Sequence, residues 1–414
     1  MNPAVDSLRK LASEVSQNAR VLWEAGGERR ARWLANAFAH LSRTDTELAR
    51  DARAALAQSS GLSEAMVEWA LEKALAPLTF EALRELERRP TPPHPHAARV
   101  SPGQLCVVVL AGNVVTGAAR AVGWPLLFGW PVLAKASSGD DTLARLLEAA
   151  LAEGDPELAG AYRAVTYPAG AAGLNAALFE QADAVSVYGG DDTLNQIRAE
   201  LGATITFMAH GSGLGAAFIG ADALASREAA QLAARALAFD VAAYDQRGCL
   251  SPHVAWVQHG GWVSPAEFAA LVHAELGLLR TTLPRGVLPR ANAVAQLSWR
   301  GVGAMRGTLL EGDGFSVSYE DAGPLRVSPG YRNLQVIAVD SPRELGPKLA
   351  TLGVHLKCLG YAGVPPDLLR ALLPTRVAPR ICPVGSMQRP PVDALHDGLP
   401  SWEGLLRWAD VSTE

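Results

Sequence analysis

Between Gln104 and Met208 the chain repeats one pattern: a short, almost wholly apolar run, a break, then a segment with helical spacing. The runs 105–110, 131–136, 162–165, 184–188 and 203–208 are too short for helices and lack the alternation of half-exposed strands. They predict strands covered on both faces. The segments 118–128 (broken at Pro125), 140–152, 173–181 and 191–201 predict helices between them. Strands separated by helices pair in parallel through crossovers, so the expected class is α/β with a doubly wound sheet. Ligands on such sheets sit outside the carboxyl ends of the strands.

Residues 1–90 have amphipathic helical spacing, as in Leu8, Leu11 and Val15 or Trp33, Leu34, Phe38 and Leu41, and Ser63 is a plausible helix start. The stretch 88–99, with Pro90, Pro92, Pro93 and Pro95, predicts a non-helical linker. After His210 come a glycine-rich turn at 211–215, a helix at 223–238, a strand at 254–257 and a helix at 265–279. Residues 280–335 look strand- and turn-rich, and short helices are expected at 368–373 and 402–408. A chain of 414 residues exceeds one ordinary core, so at least two domains follow.

A net charge of −5 and a pI near 6.0 argue against a nucleic-acid binder. The longest apolar stretch, 122–134, contains two prolines and falls short of the roughly 20 residues that span a membrane. No signal segment is visible in Met1-Asn-Pro-Ala-Val-Asp6. Four scattered cysteines without Cys-x-x-Cys spacing predict neither a metal site nor a disulfide, and reduced thiols suit a cytoplasmic protein.

Cys249 stands out among them, on a turn expected between a helix and the strand after Pro252. A lone cysteine is ordinarily a small buried hydrophobe. The flanking Asp245-Gln-Arg-Gly-Cys-Leu-Ser-Pro252 is not a core pattern, however. Gln246, Arg247 and the amides around Gly248 are expected to surround the thiol with donors and positive charge, which favours thiolate. Asn113, after the first strand, is either a turn residue or an amide donor to a developing oxyanion. Lys135 leaves an apolar run and is either solvated or a buried stem with a fixed head. Gly189 and Gly190 fit a tight turn or a close approach to phosphate, whereas Asp191 and Asp192 read as helix caps. Gly211-Ser-Gly-Leu-Gly215 lacks Gly-x-Gly-x-x-Gly spacing because position 216 is alanine. His210 is either structural or able to take the Cys249 proton.

Asp245, Gln246, Cys249, Ser251 and Pro252 form a loop that resembles the Asp-Gln-x-x-Cys-x-Ser-Pro segment of LuxC-like acyl-CoA reductases, a branch of the aldehyde dehydrogenase superfamily. Pro383-Val-Gly-Ser-Met387, His396-Asp-Gly398 and Leu405-Leu-Arg-Trp-Ala-Asp410 resemble that branch's tail, so the likeness runs from about 104 to 410. It implies an aldehyde-dehydrogenase-like α/β fold with two doubly wound domains and an N-terminal helical region. Residues 1–209 would form the helices and the NADP(H)-binding domain, 210–380 the catalytic domain, and 381–414 a tail returning to the cofactor domain or an oligomer interface.

The resemblance further implies that Cys249 is the nucleophile and that Asn113 shares the oxyanion with the Cys249 amide. Lys135 would contact the adenosine ribose, and Gly189 and Gly190 would lie near the pyrophosphate. Ser138 falls where strict NAD users of the superfamily carry a glutamate, so NADPH is the expected cofactor. Met208, Ala209 or His210 falls where hydrolytic members keep a general-base glutamate, and no second glutamate has a clear counterpart between 300 and 345. The expected reaction is NADPH-dependent reduction of a fatty acyl-CoA to the aldehyde by a dimer or tetramer. The alternatives are a reductase of acyl-carrier-protein thioesters, an oxidising aldehyde dehydrogenase, and a catalytically silent assembly partner.

Overall fold

The computed structural model describes residues 2–43, 45, 47–112, 115–168, 170–373 and 380–411, without side-chain detail at 47–49. The chain divides into two compact units: Met1–Ser60, Val67–Ser212 and Pro391–Glu414 make one, and Gly61–Met66 with Gly213–Pro390 the other.

The first unit carries β1 (Ala97–Arg99), β2 (Cys106–Val109), β3 (Val132–Ala136), β4 (Tyr162–Thr166), β5 (Ala184–Gly189) and β6 (Thr206–Gly211). Strands β2 to β6 form an all-parallel sheet in the order β4-β3-β2-β5-β6, so the winding reverses between β2 and β5. β2, β3, β4 and β5 lie where continuous apolar runs predict them, since the inner strands are covered on both faces and have no polar side to show. The edge strand β6 begins at Thr206 and runs to Gly211 rather than spanning 203–208, and it is only partly buried, so its apolar run does not mark its bounds. One face is covered by the helix Pro3–Ser16, opened by Asn2, whose side chain accepts from Ala4 N–H at 3.1 Å. Its Leu8, Ala12 and Val15 pack on Val107, Val109, Leu133 and Val187 of the sheet. Truncating Leu8 to alanine there should cost about 2–5 kcal/mol.

Pro125 lies inside the helix Gly117–Leu127, contrary to the break expected at that residue. It stands in the final turn, where the lost N–H forfeits one bond, and its own carbonyl accepts from Trp130 N–H at 2.9 Å.

The second unit carries β7 (Leu214–Ile219), β8 (Pro252–Gln258), β9 (Thr308–Gly312), β10 (Phe315–Glu320), β11 (Asn333–Val339), β12 (Leu356–Ala362) and β13 (Arg380–Pro383). Its sheet runs β13-β12-β7-β8-β11-β10-β9, parallel throughout except for the β9–β10 hairpin. Helices Arg227–Ala242 and Pro265–Thr282 pack together, the second opened by a reciprocal cap between Ser264 and Glu267. The 280–335 region, expected to hold strands and turns, contains the helix Arg290–Arg306. That helix buries only Gln296, Trp299 and Gly303, while Val294, Leu297 and Met305 are exposed. Its apolar residues therefore do not mark its buried face.

Residues after Pro391 belong to the first unit, where β14 (Trp408–Asp410) pairs antiparallel with β1 and the Trp130 indole N–H donates to Leu405 O at 2.8 Å. The helix expected at 402–408 is a series of turns leading into this strand. The linker expected at 88–99 likewise ends as β1, since its last residues find a partner far along the chain. Among the described residues, no helix is long and apolar enough to cross a membrane.

Candidate active site

The helix Arg227–Ala242 ends and the backbone then takes three successive left-handed residues, Tyr244 (φ 53), Asp245 (φ 52) and Gln246 (φ 60), before reaching Cys249. None is glycine, and each such residue costs of order 1–3 kcal/mol. Side chains from elsewhere in the same unit impose the conformation. The Asp245 carboxylate accepts from Arg332 Nε at 2.9 Å and from Gly286 N–H at 2.8 Å, and the charged Arg332 Nη2 lies 2.7 Å from Asp245 Oδ1 as an ion pair. Burial lowers the guanidinium pKa of Arg332, and Asp245 opposes that shift. Gln246 donates to Pro252 O at 2.7 Å and Asn333 O at 2.8 Å, and accepts from Asn333 N–H at 2.7 Å. The Asn333 amide is itself fixed by Ser316 at 2.6 Å and Arg300 at 3.0 Å.

Gln246 is thus fully buried and bonded to backbone, not a donor beside the thiol as its sequence position suggests. Its work is to hold the loop. The signal for this was present in the Asp-Gln pair of the motif; the partners, Arg332 and Asn333, lie 87 positions away.

Cys249 is half-buried, whereas Cys106, Cys358 and Cys382 are buried, and none of the four is in a disulfide. Burial pushes the Cys106 thiol up, and contact with Cys382 together with burial does the same for Cys358. Neither is suited to act as a thiolate.

The loop is packed from below. Leu250 sits on a cluster of Cys358, Cys382 and Met387, in which the two cysteine sulfurs are 3.7 Å apart. Gly215 N–H donates to Ser251 O at 2.7 Å, and a Cβ on Gly215 would stand 2.3 Å from Leu250 O. The last glycine of the 211–215 run therefore admits the cysteine loop to the start of β7. Met387 is held by Asp240, a fully buried carboxyl that accepts from Met387 N–H at 3.2 Å and from Gly385 N–H. Burial pushes Asp240 up to about 7 despite those bonds. Ser251 is fully buried, and its hydroxyl has no hydrogen-bond partner among the described residues. His253 Nδ1 lies 3.0 Å from Ser328 O, and burial lowers its pKa to about 4, so it is neutral near pH 7. Sequence reasoning singled out neither Asp240 nor His253.

The remaining candidates belong to the first unit. Asn113 lies outside the described residues. Lys135 is in β3, half-buried, its ammonium 5.3 Å from the Tyr167 ring centroid and its pKa lowered by burial. This is a buried stem with a fixed head. Ser138 is exposed in the turn after β3. Two residues on, Asp140 lines a shallow hollow with Leu110, Val115, Ala118 and Leu143, and its carboxylate accepts from Thr142 N–H at 3.3 Å. Gly189 ends β5, and Gly190 caps the helix Asp191–Glu200 with open space where a side chain would stand. Asp191 and Asp192 occupy that helix's first turn and oppose an anion there. His210 lies in β6 opposite Tyr188 of β5, its ring stacked on that of Tyr188 at 4.3 Å and tilted against that of His396 at 4.4 Å.

The acyl-CoA reductase (LuxC) family model matches residues 32–408. No curated protein sequence matches the chain. Among solved structures, the indole-3-acetaldehyde dehydrogenase AldA of P. syringae is similar at 14% identity, with a TM-score of 0.78 over 98% of this chain and 88% of that one. The NAD-dependent aldehyde dehydrogenase of Sinorhizobium meliloti gives 15% and 0.74 over 98% and 86%. The glyceraldehyde-3-phosphate dehydrogenase GapN of Methanocaldococcus jannaschii, solved with NADP, gives 12% and 0.76 over 98% and 93%. At these identities the likeness establishes the aldehyde-dehydrogenase-like fold.

Proposed function

The chain belongs to the acyl-CoA reductase (LuxC) family, and from that membership we propose that it reduces an acyl-CoA, of fatty type, to the aldehyde with NADPH through an acyl-Cys249 intermediate. The observation that carries this reading is the Cys249 loop. Its thiol is the one not buried, and the buried Asp245–Arg332 and Gln246–Asn333 contacts hold a strained backbone around it. Strain imposed by so many partners is characteristic of sites where placement matters.

On this reading Cys249 Sγ attacks the thioester carbonyl as thiolate, the carbon–sulfur bond to CoA breaks, and CoA leaves with a proton. The Cys249 N–H and the Asn113 amide, the latter assigned from sequence position, would hold the oxyanion. His210 would take the Cys249 proton. NADPH, when bound, supplies the hydride that reduces the acyl carbon. Collapse of the resulting thiohemiacetal then returns Cys249 thiolate and releases aldehyde.

Lys135 would hold a ribose hydroxyl, Gly190 would allow close approach of the pyrophosphate, and Ser138 would leave room for a 2′-phosphate. Asp140, two residues after Ser138, would favour a ribose hydroxyl over a phosphate. Cofactor preference thus turns on Ser138 against Asp140. A dimer or tetramer in the cytoplasm accords with the family.

The test uses acyl-CoA labelled in the acyl group. Without NADPH, the enzyme should release about one CoA per chain, carry the label on Cys249 and stall, since positions 208–210 hold no carboxylate to activate water. Addition of NADPH should discharge aldehyde. Sustained release of free acid without NADPH, or label retained by Cys249→Ala, would overturn the proposal.

A further inference from the structure

We infer that His210, His396 and Asp397 form a binding site for one divalent transition-metal ion of the zinc or cobalt type. All three belong to the first unit. One nitrogen from each imidazole and one carboxylate oxygen lie within 4.8 Å of one another. A tetrahedral ion with bonds of about 2.0–2.1 Å needs its donors roughly 3.3 Å apart. The donors must therefore close by up to about 1.5 Å to complete the triad.

The rings lie side by side. His210 and His396 have centroids 4.4 Å apart and planes tilted by 58°. Two imidazoles on one tetrahedral ion have centroids about 5.2 Å apart, so binding would spread these rings by about 0.8 Å. Tyr188, opposite His210 in the β5–β6 register, stacks on that imidazole at 4.3 Å and 18° and fixes its plane. His396 and Asp397 are presented by a tight turn in which His396 and Leu399 exchange backbone hydrogen bonds of 2.9 and 3.0 Å. Asp397 (φ 52) and Gly398 (φ 85) fill its two left-handed positions.

Two nitrogens and one carboxylate suit zinc, cobalt or nickel, whereas magnesium and calcium prefer all-oxygen sets. Three protein donors leave a position open for water or an anion. The nearby carboxylate of Asp191, with Oδ1 3.7 Å from where a Cβ on Gly211 would stand, adds negative charge beside the strand carrying His210. An ion here occupies the imidazole electron pair that proton transfer from Cys249 would use, so on the proposed function the site is inhibitory. Metal binding itself does not depend on that function.

Chelator-treated full-length protein titrated with Co²⁺ tests the inference. One Co²⁺ per chain should bind with visible d–d absorption, and Zn²⁺ should displace it. His396→Ala should abolish the absorption. Asp397→Asn should weaken binding at least about tenfold while keeping the turn, since asparagine serves equally at a left-handed turn position. His40→Ala, distant in sequence and beside Glu153 at 3.5 Å, should change nothing. Absence of stoichiometric Co²⁺ binding by the wild type, or binding unchanged in both His396→Ala and Asp397→Asn, would overturn the site. Circular dichroism of each variant identifies loss caused by unfolding, and the Asp397→Asn result then decides.

Discussion

Asp245 and Arg332 are paired at 2.7 Å with each side chain only 1% exposed, and both residues have left-handed backbone, φ 52 and φ 67. The pair joins the turn before Cys249 to the residue preceding β11, so the two strained segments brace each other. Removing one partner leaves a buried charge, at a cost of about 3–5 kcal/mol. Arg332→Met should lower the urea midpoint and abolish acyl-Cys249 formation at temperatures where the protein remains folded. An acylation rate equal to wild type would show that the brace does not position the thiol.

Cys249→Ala should eliminate the acyl adduct, and Cys106→Ala should leave it intact. Cys358→Ala and Cys382→Ala belong to a third class. Their sulfurs support Leu250, so about 1 kcal/mol of stability should be lost while the adduct still forms. Mass spectrometry of the adduct beside thermal unfolding separates the three classes.

Ser251→Ala should leave stability unchanged or raise it. A buried hydroxyl without a partner costs about 1–3 kcal/mol, and alanine removes that penalty while leaving a small void. Thermal unfolding decides; a large drop would mean that the hydroxyl is bonded in solution.

Asp240 titrates near 7 in the folded protein against an ordinary value of 3.8, so the folded state binds this proton more tightly. Its contribution is fully present below about pH 4 and is lost as pH rises toward 7, over a span of up to about 4 kcal/mol. His253, lowered from 6.5 to about 4, contributes with the opposite sign in the overlapping range. The informative quantity is therefore the difference between wild type and Asp240→Asn. Measured by urea unfolding, that difference should change between pH 4 and 7; a constant difference would contradict the assignment.

Ser138→Glu should shift cofactor use toward NADH, because a carboxylate accepts from a ribose hydroxyl and repels a phosphate. Asp140→Asn should shift it toward NADPH, since it removes the carboxylate at the edge of the hollow. Ratios of kcat/KM for the two cofactors measure both, and no change in either variant would mean that the 2′ position lies elsewhere.

The inner strands of the first sheet, β2, β3 and β5, were legible because burial on both faces leaves an uninterrupted apolar run, whereas the partly buried edge strand β6 begins three residues later than its run suggests. Arg290–Arg306 was not, because that helix rests on a narrow stripe and exposes much of its apolar surface. Trp408 looked helical because its partner, Arg99 of β1, is invisible to local pattern. At the site, the Cys249 motif identified the loop. The purpose of Asp245 and Gln246 was hidden, since it resides in contacts with Arg332 and Asn333. His210 was marked by its position after a strand, but only folding brings the His396–Asp397 turn beside it.

The pairing of β14 with β1 sets an order of events during synthesis. The second unit is nearly continuous, Gly213–Pro390 with only a short earlier piece, whereas the first awaits Pro391–Glu414. On the ribosome, the two sheets will therefore have emerged while β1 still lacks its neighbour and the Trp130 indole lacks its acceptor at Leu405. A nascent chain stalled before Leu405 should expose this seam to protease, and release of the final segment should close it.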